Sequence, residues 1–74
     1  MTYYTLLLRE PEIGWFIHFG GYNLSEVGEE REIIWSSGDY KRKDTYILVT
    51  PSDNQESINH AVELKNRSDC HENA

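Results

Sequence analysis

One cysteine, two prolines and seven cationic side chains are all that this chain of 74 residues has of each. Cys70 cannot close an internal disulfide, and its place near the C-terminal end makes it a poor ligand for a structural metal, so a reducing, cytoplasmic compartment is expected. Seven Lys and Arg against thirteen Asp and Glu give a formal charge of −6. The average field then repels DNA, RNA and anionic membrane, which excludes direct nucleic-acid and membrane partners and leaves a basic protein surface as the natural complement. The opening stretch MTYYTLLLRE has no basic segment ahead of its leucines and a run of three apolar residues, too short for a signal peptide core or a membrane span. Without a secretion signal, the sequons Asn23-Leu24-Ser25 and Asn66-Arg67-Ser68 read as chance matches.

Periodicity organises what is there. YYTLLLR (3–9) alternates Tyr4, Leu6, Leu8 against Tyr3, Thr5, Leu7, and WFIHFG (15–20) alternates Trp15, Ile17, Phe19 against Phe16 and His18. Pro11 and Gly14 punctuate the turn between them, which predicts a β-hairpin. Asn23 and Glu26 have capping-box spacing, and Tyr22 with Val27 occupies the two positions of a hydrophobic staple. The helix they open gathers Leu24, Val27, Ile34 and Trp35 on one side with Gly28, and sets Glu26, Glu29 and Glu30 opposite. Arg31 falls near the centre of that apolar stripe, so it either snorkels past the sheet edge or the helix is rotated. Gly38 ends the helix, DYKRKD (39–44) is a charged connector, and TYILVT (45–50) is the clearest strand. Asp53 with Glu56 forms a second capping box ahead of a helix reaching about Lys65, with Ile58, Ala61 and Val62 on one face. The expected architecture is one α+β domain over residues 1–66, of order ββαβα. Its three-stranded antiparallel sheet has order 2-1-3, with both helices on one face and Trp15, Ile17 and Phe19 turned inward. Residues 67–74 are expected to form a mobile tail.

Nothing in this pattern dictates a chemistry. His18 lies mid-strand with no Ser or Cys motif directed at it, and reads as a surface histidine. His60 falls on the polar side of its helix, and Cys70-His71 lacks the further ligands zinc requires. Three glutamates on one helix face do not reach the six or more oxygens a hard cation needs. Gly20-Gly21 lacks the spacing of a phosphate cradle, and Lys41, Arg42 and Lys43 are nearly cancelled by Asp39 and Asp44. The expectation is therefore no catalytic residues, no metal and no cofactor. Ile33 stands apart. It projects among the glutamates, opposite the buried stripe, and together with Phe16 and Tyr40 it could form a contact patch.

Trp15-x-Ile17-x-Phe19-Gly20-x-Tyr22, then Val27-x-x-Glu30, Lys43-Asp44 ahead of an apolar strand, and Asp53-x-Gln55-x-x-Ile58-x-x-Ala61-Val62 resemble small uncharacterised proteins of temperate bacteriophages and mobile elements. The resemblance implies a phage setting, in which small acidic proteins bind host proteins, anti-CRISPR proteins being one such group. On this reading the chain is a protein-binding inhibitor or modulator of a host protein. Glu26, Glu29, Glu30 and Glu32 would meet a basic surface, such as that of a nucleic-acid-binding effector. Ile33 would be the apolar anchor, and Phe16, His18 and Tyr40 would complete the contact. The alternative is a homodimeric structural or regulatory protein that pairs through an uncovered sheet face or edge.

Overall fold

The computed structural model describes the backbone of residues 1–73 and the side chains of residues 1–67. Strands β1 (Tyr3–Glu10) and β2 (Gly14–Gly21) form the hairpin, with Glu10 paired to Gly14 across a three-residue loop. Ile13 N donates to Glu10 O at 3.2 Å, and Gly14 then takes φ +84°. A three-residue hairpin loop requires a left-handed residue at that place, which glycine supplies without a Cβ clash. Helix α1 (Leu24–Ser37) starts where the Asn23 side chain accepts from Ser25 N at 2.9 Å and stops at Gly38, φ +80°, whose N–H donates to Trp35 O. A 3-10 turn (Arg42–Asp44) leads into β3 (Thr45–Thr50), and α2 (Gln55–Asn73) follows. Both outer strands pair antiparallel with β1, giving the order β2-β1-β3 and the ββαβα α+β fold that periodicity predicts.

The helices, however, lie on opposite faces of the sheet, not together on one. Thr5, Leu6, Leu7 and Leu8 are buried in succession, as only a central strand covered on both sides allows. Leu6 and Leu8 pack with Val27 and Ile34 of α1, rimmed by Tyr4, Phe16, Phe19, Tyr40 and Ile47. On the other face, Lys65 of α2 sits over the rings of Trp15 and Tyr46, which pair across the sheet with Arg9 and Leu7. The molecule spans 36 × 30 × 14 Å. Three strands spaced about 4.8 Å apart fit the shortest dimension, and layers about 10 Å apart stack along a longer one.

A β-bulge overturns the expected inward set. Leu6 pairs with Phe19 but Leu7 with Ile17, so His18 is an extra residue. The insertion brings Phe19 onto the same face as Phe16, under α1, and leaves Trp15 and Ile17 on the α2 face, where Ile17 is 41% exposed. Leu24, assigned to the buried stripe, is half exposed at the first position of α1. Tyr22 sets its ring edge-on against Tyr3, with centroids 4.9 Å apart.

Asn54 caps α2 in place of the expected Asp53. Its Oδ1 accepts from Glu56 N at 2.9 Å and Ser57 N at 3.3 Å. The helix runs past Lys65 to Asn73, with Arg67 bonded to Glu63 one turn back. The expected tail at 67–74 falls, beyond Arg67, on side chains outside the described residues.

Candidate functional site

Helix spacing assembles the candidate surface. Glu29, Glu32, Ile33 and Ser36 stand at i, i+3, i+4 and i+7 of α1, hence on one stripe, and they line an open depression of about 460 Å³. Ile33 is 62% exposed, and Glu26, Glu29 and Glu32 are exposed around it. Among the described residues no cation pairs with these three carboxylates. Like charges three and four positions apart cost about 0.2–0.5 kcal/mol per pair. The helix dipole favours Glu26 in the first turn, but it gives Glu29 and Glu32 no such compensation.

The cations are held elsewhere. Arg9 donates from Nε and Nη2 to Asp44 Oδ1 at 3.0 and 2.8 Å and lies 5.1 Å from the Trp15 ring, to which Lys65 Nζ closes to 4.5 Å. Arg31 and Arg42 stand 4.7 and 4.8 Å from the Trp35 centroid, and Trp35 Nε1 is fixed by Thr45 Oγ1 at 2.9 Å. Arg31 thus snorkels along an indole with its Nε buried and unpartnered. Stacking cations on rings is worth about 0.5–1 kcal/mol each at exposed sites. Arg9, Lys65, Arg31 and Arg42 thus gather around two tryptophans, and among the described residues none of them forms an ion pair with the outer stripe of α1, although Arg42 shares a depression with Glu32.

The other expected contact residues divide. His18, displaced by the bulge, reaches α1 and places Nε2 3.3 Å from Glu30 Oε1, with the two side chains 36% and 33% exposed. Glu30 is therefore engaged, in contrast to its neighbours. Phe16 and Tyr40 pack at the rim of the core beneath α1. The His18–Glu30 pair is the kind of base and carboxylate that acid–base chemistry uses. It lies on the surface, while the depressions at 10–13, 29–36 and 32–42 are lined by other residues. Among the described residues no group of three or more His, Cys, Asp or Glu could hold a metal ion, and no helix is long and apolar enough to cross a membrane.

Two phenols report on local packing. Tyr40 Oη donates to Glu10 Oε1 at 2.9 Å, and that bond, with burial, raises its pKa above 10.0. A hydrogen bond to Asp53 raises that of Tyr22 likewise. Both groups hold their protons more tightly folded than unfolded. Their stabilisation is complete below the ordinary phenol value and is lost as pH climbs through the raised ones. In a Tyr22→Phe/Tyr40→Phe variant, the urea midpoint should fall less than in the wild type between roughly pH 9 and pH 11.

Compared with protein-family models, curated proteins and solved structures, the chain matches none.

Proposed function

We propose that the protein is a binding module, not an enzyme, and that the outer stripe of α1 engages a partner with a basic surface. The observation that carries this is the row of unpaired glutamates around Ile33, on a helix whose one cation is turned away against Trp35. Glu29 and Glu32 would set encounter rate and register, and Ile33, seated between them, would be desolvated on binding. The sequence resemblance to small phage proteins, with the acidity, supports a modulator or inhibitor acting in the bacterial cytoplasm on a host nucleic-acid-binding effector.

The test is a comparative pull-down from bacterial lysate with wild type and Glu29→Lys/Glu32→Lys. Because exposed charges contribute little to folding, the double reversal should stay within about 0.5 kcal/mol of wild-type stability. It should nevertheless lose the proteins that the wild type retains. Recovery of the same proteins at the same yield by both would remove the proposal.

A further inference from the structure

The two edges of the sheet differ in a way that points to a second binding surface, separate from α1. At the β2 edge the His18 bulge breaks the ladder, and the Asn66 carboxamide occupies the outward backbone of Trp15, accepting from its N–H at 2.7 Å and donating to its C=O at 3.2 Å. Both devices block strand addition. The β3 edge has neither. Its register with β1 runs unbroken from Tyr3–Thr50 to Leu8–Thr45, and TYILVT contains no charge, proline or glycine. Among the described residues no side chain bonds to its backbone, and Tyr46 and Val49 are 44% and 59% exposed. A regular, uncharged edge of β-branched and aromatic residues is a template for another strand.

We propose that this edge pairs antiparallel with β3 of a second copy, joining two sheets into one. A two-fold axis normal to the sheet keeps each face continuous, so directly opposed residues must share a face and the pairing centres on an in-strand residue. Centred on Leu48, it sets Ile47 opposite Val49 on the α1 face and Tyr46 opposite Thr50 on the α2 face. Charge selects this direction. The strand is entered through Lys41, Arg42, Lys43 and Asp44, of which Asp44 is paired with Arg9 of β1, and left through Asp53. Antiparallel pairing brings each cationic entry beside the other copy's acidic exit, with Lys43 opposite Asp53 twice by symmetry. Parallel pairing would place the cations of both copies together.

Sedimentation equilibrium of the full chain, from low micromolar to several hundred micromolar, should show the mass rising from 8.7 kDa toward twice that value. Val49→Lys, at an exposed position, should remain monomeric with an unchanged circular dichroism spectrum. Asp53→Lys should weaken the dimer several-fold, and adding Lys43→Asp should restore it. Glu29→Lys/Glu32→Lys should leave it unchanged, which separates this surface from the α1 stripe. A wild type at 8.7 kDa throughout, or a Val49→Lys variant that dimerises as tightly as wild type, overturns the proposal.

Discussion

Leu7→Ala should cost about 2–5 kcal/mol of folding free energy, as much as the same change at Leu6. Both leucines are fully buried in the central strand, but their side chains enter different cores: Leu6 meets Val27 and Ile34, whereas Leu7 lies under α2 beside Tyr46 and Ile17. A domain of this size has about 4–11 kcal/mol in total, so either truncation should remove a large fraction of it. The comparison is informative because a sheet with one open face would leave Leu7 exposed and its truncation nearly silent. Urea midpoints of the two variants, at unchanged m-value, give the answer. A Leu7→Ala loss below about 1 kcal/mol would mean that α2 does not cover that face.

Asn66→Ala should be the most damaging polar substitution, at about 1–3 kcal/mol. It strips partners from both the N–H and the C=O of Trp15, a residue 5% exposed, and reopens the β2 edge at that point. Gly14→Ala should reproduce much of the loss by another route. The added Cβ would stand 2.6 Å from Asn66 Oδ1, and the left-handed backbone at φ +84° adds about 1–2 kcal/mol for a residue with a side chain. Denaturation gives the magnitudes, and hydrogen exchange at the Trp15 amide locates the effect. Exchange as slow in Asn66→Ala as in wild type would show that the carboxamide is not what protects this edge.

Sequence pattern conveyed the element order and the sheet order because β1 and β2 alternate with period two, β3 is an uninterrupted β-rich run, and each helix has a start signal. It misplaces the second helix, and the reason lies at Thr5-Leu6-Leu7-Leu8. Alternation there divides the strand into two sets that both contain leucine, which is the signature of a strand buried on both faces, not of one face turned to water. The bulge at His18 left no local mark, since an inserted residue changes which face each neighbour takes without changing the composition. Asn66 resembled any polar helix residue, and its bond to Trp15 spans 51 positions. At the candidate site, the exposure of Glu26, Glu29 and Ile33 followed from the wheel, whereas Glu30, set on the same side, is half-buried against His18. The His18–Glu30 contact and the stacking of Arg31 on Trp35 depend on tertiary geometry that no spacing encodes.

Acidic binding surfaces and merely solvated ones differ most clearly in how their affinity responds to salt. For a captured partner, the dissociation constant should therefore be measured at two ionic strengths with wild type and with Glu29→Lys/Glu32→Lys. If the α1 stripe is the interface, wild-type affinity falls steeply with salt, and the double reversal binds more weakly with a flatter dependence because fewer complementary charges remain to be screened. Equal affinities and equal salt slopes for the two proteins would contradict the account.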